Sequence, residues 1–419
     1  MLILLSAATT VCAQDKLRLK EKISIGRPVL EKAGDTVSLT TDTALETDVS
    51  DLYNMVFHQR KLKAVKAKKA SSLVLLPTLG YTPSTGFEFG IDVSGSGYFG
   101  NPANTTLSVF DAFAAISTNE LALIQLNHNV YTKANKWNIQ GSWNLGKTVI
   151  LDHGLGTGNQ SKQADEIRYS YRKLTESVYR NIFPNFYAGA GLALNYYTKI
   201  TQEVPPEDNG KVLNEKYSLT NGYPPGNYYA NGLLLELQYN TRDQPYRPYK
   251  GIYIDLIVRS NRKWLGSEKS AAQLKTELRK YWGLSQKNPE QVLAYWFWAT
   301  YLIQGSVPYL ELPGTGSDNQ QRLGRGYTIG RFKGPSYVYN EMEYRFPITR
   351  NKLLSGVAFI NLQTASDQLR TKLFRYLEPG AGGGLRILFN KQTRSNLCLD
   401  YGIGNYGSHG VFVGLNEVF

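Results

Sequence analysis

The sequence contains little cysteine and little histidine. Its 419 residues include two cysteines, Cys12 and Cys398, and four histidines. Cys12 lies in a predicted leader, so the mature chain would keep Cys398 alone and could form no internal disulfide. The histidines lack metal-ligand spacing, and no glycine-rich loop carries the lysine of a nucleotide-binding motif. We therefore expect no disulfide-rich scaffold, no metal site and no other cofactor.

Long apolar runs are also missing. After the N-terminus no stretch of 18 apolar residues occurs and the mean hydropathy is −0.34, which excludes a helical membrane protein. The 29 tyrosines and 39 glycines instead favour many short, two-faced strands, which can lie in a membrane while being polar on average. The formal charge of +13 is scattered along the chain, so lipid headgroups or a protein partner are expected, and no nucleic acid.

Apolar residues recur at every second position from Ser72 to the C-terminus, most clearly in segments 87–94, 137–145, 233–240 and 396–403. The alternate positions are rich in Asn, Gln, Ser and Gly, as expected for an enclosed lumen rather than a solvated surface. We predict an all-β fold, a transmembrane antiparallel β-barrel of about 16 strands over residues 71–419. The weakest strand predictions are Ala272–Trp282, which could be helical, and Gln291–Gly305, which is apolar on both faces.

Residues 1–13, MLILLSAATTVCA, form an apolar run that ends in a small-x-small pattern, which predicts a signal peptide and export. Residues 14–70 are polar and are predicted to be a short periplasmic segment. Within it, Asp51–Lys69 favours a short helix with a basic C-terminal end. This helix could touch lipid headgroups or cap the barrel, or it could be a solvated linker.

The connections between predicted strands differ in length. An even strand count places both termini on the periplasmic side, with long connections outside and short turns inside. The predicted outer loops are 152–164, 200–229, 261–270, 306–334 and 365–379. The predicted inner turns include 101–104, 132–136, 183–185 and 349–352.

Glycine and basic residues are concentrated in the loop that precedes the strand ending at Ile348. Four cations occur within twelve residues: Arg322, Arg325, Arg331 and Lys333. The cations of such a loop need acidic or polar side chains as partners. The following strand provides them, because Glu341, Glu343 and Arg345 share one of its faces.

Three passages together resemble the bacterial surface antigen superfamily of outer-membrane barrels, the BamA/TamA family. The loop motif between the eleventh and twelfth strands comprises Gly324, Arg325, Gly326 and Tyr327. The periplasmic turn motif between the eighth and ninth strands comprises Thr241, Arg242, Asp243, Pro248 and Gly251. The third passage combines the strand Glu343–Pro347 with a last strand that ends in the aromatic Phe419. The resemblance implies the outer membrane of a Gram-negative bacterium.

The resemblance also implies roles for individual residues. Arg325 would fold into the lumen and pair with Glu341 or Glu343. On the next strand the family has an aspartate where this chain has Asn361, whose side-chain carbonyl could accept a bond from the arginine. Independently of the resemblance, strand alternation predicts that Phe419 faces outward with its strand, where the terminal aromatic would act as the signal for outer-membrane assembly, with Glu417 at headgroup level. Residues 14–70 are too short for even one periplasmic POTRA module, so the chain resembles a short form of the family.

These features favour a factor for insertion, assembly or translocation of outer-membrane proteins or lipids. A weak seam between the first strand, which contains Pro77, and the last strand would expose an edge that templates a client strand. Partners would be outer-membrane lipid, client proteins and accessory periplasmic subunits. Two alternatives stay open at this point: a passive channel or partner-binding scaffold, and a hydrolase at the barrel rim using Asp152-His153 or Ser408-His409. We expect no enzyme.

Overall fold

The computed structural model describes residues 46–49, 51–52, 71–82, 85–158, 164–203, 213–391 and 393–419. The predicted signal peptide and most of the predicted periplasmic segment, including nearly all of the helix expected at Asp51–Lys69, lie outside these residues. The described part of that segment contacts two turns of the barrel: the Glu46 carboxylate pairs with Lys352, and Asp51 pairs with Lys391 at 2.7 Å.

Sixteen strands make up the wall of the described chain. In chain order they are β1 Ser71–Thr82, β2 Gly86–Gly97, β3 Ser108–Ser117, β4 Ala122–Tyr131, β5 Trp137–Asp152, β6 Asp165–Phe183, β7 Phe186–Glu203, β8 Gly232–Asn240, β9 Gly251–Asn261, β10 Ala271–Gly283, β11 Val292–Gln304, β12 Ser336–Pro347, β13 Leu354–Ala365, β14 Glu378–Asn390, β15 Ser395–Gly404 and β16 His409–Leu415. A two-residue segment, Tyr228–Tyr229, pairs with β7 just before β8.

Each strand pairs antiparallel with the next, from β1 with β2 to β15 with β16. Cα atoms of β1 and β16 approach within 8 Å, but no registered ladder joins these two strands in the described chain. The result is a nearly closed barrel. The predicted fold class and strand count are confirmed, and both doubtful segments, Ala272–Trp282 and Gln291–Gly305, are strands.

The two faces of the wall differ as the alternation predicts. On β8, Leu233, Leu235 and Leu237 are exposed on the outer face, while Glu236 and Gln238 are buried inside. The inner groups bond across the barrel: Ser177 donates to Glu236 at 2.9 Å, and Gln140 donates to Gln238 at 3.2 Å. Exposed leucines outside and hydrogen-bonded polar residues inside are typical of a barrel in lipid.

The four longest connections, those after β5, β7, β11 and β13, lie at the same end of the barrel, because successive antiparallel strands reverse direction. The end that we call the loop end carries the connections after β5, β7, β9, β11 and β13. The connection after β7 contains the helix Leu213–Asn221, and those after β9 and β11 contain the 3-10 turns Lys263–Leu265 and Tyr309–Glu311. The connections at the opposite end, the turn end, have at most ten residues. In the described chain, no helix combines the length and apolarity needed to cross a membrane.

Candidate functional site: the lumenal loop, its ion network and the seam

The connection between β11 and β12, residues 305–335, enters the lumen; we call it the lumenal loop. Its turn is fixed by Asp318, whose carboxylate accepts the backbone N–H groups of Arg322 and Leu323, both at 2.7 Å. Gly326 has a φ of +103°, and a Cβ there would lie 2.6 Å from the carbonyl oxygen of Ile403. Glycine is therefore required where the loop backbone lies against β15.

Arg325, at the tip of the lumenal loop, is 1% exposed and contacts three carboxylates. Its guanidinium donates to Glu343 at 2.6 Å and to Asp400 at 2.8 Å, and its Nε donates to Glu341 at 3.3 Å. The guanidinium carbon also lies 3.7 Å from the centroid of the Phe359 ring. The loop thus places a cation where two inward carboxylates of β12 and one of β15 converge.

Asn361 contacts Arg325 in a different way from the one expected. Its side-chain amide donates to the main-chain carbonyl of Arg325 at 2.9 Å, so its own oxygen does not receive the guanidinium. Asn361 is thus a lumenal partner of Arg325, as expected, but it contacts the main chain, and the expected reduction to one anionic partner is wrong. Asp400 on β15 supplies the missing negative charge instead. Its inward position could be read from the alternation of segment 396–403, although its distance from Arg325 could not.

The ion pairs continue from Arg325 toward the turn end. Arg345 donates to Glu343 at 2.7 Å, and Arg386 bonds to Asp400 and, at 2.7 Å, to Glu417. The charged members of this lumenal network are Arg247, Arg325, Arg345, Arg386, Glu290, Glu341, Glu343, Asp400 and Glu417, all at most 2% exposed at the side chain. Removing one partner from such a network leaves a buried charge uncompensated, which costs about 3–5 kcal/mol.

The last four residues, 416–419, leave the barrel wall; we call them the C-terminal tail. Asn416 has a φ of +66°, and the residues after it are buried inside the barrel. The Phe419 ring stacks on Trp296 with centroids 5.2 Å apart, and a terminal oxygen of Phe419 accepts a bond from Arg345 at 2.8 Å. The expected outward position of Phe419 is therefore wrong.

Glu417 also lies in the lumen rather than at headgroup level. Its carboxylate pairs with Arg386 at 2.7 Å and with Arg247 at 3.3 Å. Burial raises the pKa of Glu417, but the guanidinium groups of Arg386, Arg345 and Arg247 outweigh burial and hold the pKa well below its usual range. Alternation predicted an outward face because it cannot register the reversal at Asn416. An acid inside an apolar face was the available signal.

Arg322 joins the lumenal loop to the C-terminal tail. Its guanidinium donates to the main-chain carbonyl oxygens of Leu415 at 2.9 Å, Asn416 at 3.2 Å and Glu417 at 2.8 Å. The sequence marked Arg322 only as one of four loop cations. In the structure it holds the point at which β16, one of the two seam strands, turns inward.

The turn between β8 and β9 carries the predicted motif Thr241–Asp243 with Pro248 and Gly251. Asp243 accepts the N–H of Tyr249 at 2.9 Å and pairs with Arg394 of another turn at 2.7 Å. A Cβ at Gly251, whose φ is +115°, would lie 2.4 Å from the oxygen of Thr241. The motif residues therefore hold the shape of the turn.

Other motif residues connect this turn to the barrel. The Arg242 guanidinium lies 4.5 Å from the Tyr253 ring, and the Pro248 carbonyl accepts a bond from Arg345 at 3.4 Å. Tyr246 lies between them in sequence. Its hydroxyl donates to the Gly95 carbonyl of β2 at 2.9 Å, and its main-chain carbonyl accepts the Glu417 N–H at 3.3 Å. The turn thus crosses from β8 and β9 to the side of the barrel that contains the seam.

The two residue pairs considered for a rim hydrolase differ in burial and contacts. Asp152 is buried, pairs with Lys333 at 2.8 Å and accepts the Tyr309 hydroxyl at 2.8 Å. His153 is buried beside it. His409 is exposed at the first position of β16, with its Nδ1 3.0 Å from the Gly407 carbonyl. Asp152 therefore anchors the lumenal loop.

The comparison with protein families establishes which family the chain belongs to. Residues 116–404 match the Omp85 superfamily domain. The chain belongs to the Omp85 superfamily. This membership confirms the family resemblance read from the loop and turn motifs. No curated protein matches the sequence.

Solved structures support the Omp85 fold. BamA from Haemophilus ducreyi lacking POTRA domains 1–3 aligns with a TM-score of 0.52 at 14% identity, covering 84% of this chain and 70% of that one. CdiB from Acinetobacter baumannii gives 0.50 at 11%, covering 85% and 60%. CdiB from Escherichia coli gives 0.51 at 8%, covering 84% and 63%. This Omp85 chain therefore spans less than two thirds of either CdiB, and at these identities the likeness concerns the fold.

Proposed function

We propose that this Omp85 chain inserts β-barrel proteins into the outer membrane of a Gram-negative bacterium, using the seam between β1 and β16 to receive client strands. Omp85 barrels are outer-membrane proteins, and the family membership supports this location. The proposed orientation puts both termini and the turn end in the periplasm. Translocation of proteins and insertion of lipid are variants of the same use of the seam.

The interrupted ladder at the seam is the observation that carries the proposal. An unpaired strand edge exposes backbone N–H and C=O groups that can pair with an incoming strand. β1 pairs along its whole length with β2, through Pro77 opposite Ile91. A proline fits an edge strand when its missing N–H lies on the unpaired side, so Pro77 weakens any ladder between β1 and β16.

The C-terminal tail shortens β16, the second strand of the seam, and so leaves more of the β1 edge unpaired. β16 contains seven residues and β1 contains twelve, because the chain turns inward at Asn416. Part of the β1 edge therefore has no counterpart on β16. A client strand that pairs with β1 would gain backbone bonds in a membrane, where unsatisfied backbone groups cost several kcal/mol each.

The lumenal loop provides the rigid support in this mechanism. Arg325 fastens the loop to β12 and β15, while Arg322 fastens the C-terminal tail to the loop. Movement of β16 therefore has to break bonds to the loop. In the proposed cycle, the network keeps the seam narrow. The seam opens when a client strand pairs with β1 and its backbone bonds offset the broken bonds between β16 and the loop.

The test uses a photo-crosslinking residue at Leu75 of β1, with Leu235 of β8 as the matched control. Both leucines face outward and are similarly exposed, at 62% and 65%. The chain is reconstituted in vesicles and supplied with a urea-unfolded eight-stranded outer-membrane barrel. We expect crosslinks from Leu75 but not from Leu235, together with faster folding of the client. Equal crosslinking at both positions, or no acceleration of folding, would contradict the proposal and favour a channel or scaffold.

A further inference from the structure

A groove of about 360 Å³ lies on the outer face of the wall, near the loop end of β5, β6 and β7. Its lining includes Lys147, Ser170, Arg172, Tyr196, Thr198 and Lys199. Strand register explains its shape. Ala122, Lys147, Ser170 and Thr198 are Cα partners across four strands, and Leu145, Arg172 and Tyr196 form the adjacent row. Small side chains therefore form the floor, and long cationic and aromatic ones form the sides.

A β-bulge adds one of the cations. Arg168 pairs with Thr201 and Ser170 pairs with Thr198, so Lys199 and Ile200 together oppose one residue of β6. Bulges of this kind re-aim a side chain. Lys199 has a φ of +52° and is exposed, while Ile200 is buried. Regular alternation would have placed the Lys199 side chain in the lumen.

The described residues of the groove include more cations than ion-paired carboxylates. Lys147 pairs with Glu120 at 2.8 Å, and Arg168 above the groove pairs with Glu166 at 2.8 Å. Among the described residues, no carboxylate oxygen lies within 4.0 Å of a side-chain nitrogen of Arg172 or Lys199. Within the described ranges, two cations on an outward face thus have no ion-pair partner.

The height of the groove matches a membrane interface. Trp137, near the turn end of β5, lies beneath the Arg180 guanidinium at 4.7 Å, an arrangement that suits headgroup level. Lys147 is ten residues further along β5. At about 3.3 Å per residue and a tilt of about 40°, this distance raises Lys147 about 25 Å, the height of the apolar band of such barrels. Trp143 and Leu145 are exposed between these two levels.

We propose that this groove binds the phosphorylated sugar headgroup of a glycolipid in the leaflet at the loop end. The proposal rests on the proposed outer-membrane location, which makes this the outer leaflet. Arg172 offers the planar, two-pronged donor that matches phosphate, and Lys199 adds a second cation. Tyr196 stacks on Tyr229 with centroids 4.1 Å apart and offers a flat apolar surface to a sugar ring.

The test compares two double variants that change charge equally. Arg172→Gln with Lys199→Gln removes the free cations of the groove. Arg180→Gln with Lys280→Gln removes two outward cations near the turn end, where Lys280 lies 5.9 Å from the Trp282 ring. The heat-dependent gel shift of a folded barrel establishes folding for each protein. Binding is measured with detergent-solubilised full-length chain and diphosphoryl lipid A, using dephosphorylated lipid A, phosphatidylglycerol and inorganic phosphate as comparison probes.

We expect the groove variant to bind diphosphoryl lipid A at least about tenfold more weakly, the loss of roughly one charge-assisted bond, and the control variant to bind as wild type. Dephosphorylated lipid A should bind weakly to wild type, and neither phosphatidylglycerol nor inorganic phosphate should displace the glycolipid. Equal loss in both double variants, or displacement by either competitor, would overturn the proposal. Client folding is measured separately in vesicles without glycolipid, so failure here is distinguishable from failure of the seam.

Discussion

Replacing Arg322 with alanine should release the C-terminal tail from the lumenal loop. The guanidinium donates to three carbonyl oxygens at 2.8–3.2 Å. A bond from a charged donor contributes about 1.5–3 kcal/mol, and released carbonyls at the barrel end regain water, so we expect a net loss of about 2–3 kcal/mol for the set. Since 1.4 kcal/mol is a factor of ten, the tail should open about 30- to 150-fold more often.

Thiol labelling of the tail measures this opening. Val418 is buried, so a Val418→Cys substitution in a Cys398→Ser background should react slowly with a maleimide and much faster once Arg322→Ala is added. Arg331→Ala is the matched control, because Arg331 is a buried arginine of the same loop that lies over the Tyr406 ring, 4.9 Å from its centroid. Unchanged labelling in the Arg322 variant, or equal acceleration in the Arg331 variant, would refute the coupling.

Three further predictions concern the lumenal loop and its network. Arg325→Ala leaves three buried carboxylates without their shared cation and should destabilise the loop by about 3–5 kcal/mol, measured as protease sensitivity of the loop, whereas Arg325→Lys should lose less. Gly326→Ala should displace the loop tip and raise the same sensitivity, while Gly407→Ala, also at positive φ but with open space around a Cβ, should not. Because the folded-state pKa of Glu417 is lowered, its stabilisation is complete above the ordinary glutamate value of about 4.3 and is lost as the pH falls below it. The labelling rate of the tail, divided by that of a free thiol at the same pH, should therefore rise only in that acidic range, and a rise of this ratio between pH 6 and 8 would contradict the assignment.

The wall of the barrel was predictable because lipid imposes a simple rule on every second residue. In two strands, β10 and β11, the alternation of polar and apolar residues is not evident from the sequence. The charged residues of β10 resemble a helix surface, but Glu277 and Arg279 both face the lumen and pair there at 2.5 Å. β11 is apolar on both faces because its inward Trp296 packs against Phe419. Lumenal aromatic residues cannot be told from lipid-facing ones by period alone.

The site was only partly predictable, since its contacts join residues far apart in sequence. Glycine and cations in the loop, followed by inward acids, were enough to expect an acidic partner surface on the next strand. The pairing of Arg325 with Glu341 or Glu343 was implied by the family resemblance. Nothing local indicates that Arg247 meets Glu417, 170 positions later. The inward turn of the tail depends on the positive φ of Asn416, which asparagine adopts more readily than most residues but which the strand alternation does not reveal.

A reversible covalent tether across the seam tests the central claim most directly. In the Cys398→Ser background, cysteine at Leu75 of β1 is paired in turn with cysteines along β16, from Gly410 to Val413. The control tether joins Tyr401 and Val411, which are registered partners in β15 and β16. We predict that the oxidised seam tether reduces client folding to the spontaneous rate, that reductant restores it, and that the control tether leaves it unchanged. Full activity with the seam covalently closed would contradict the account.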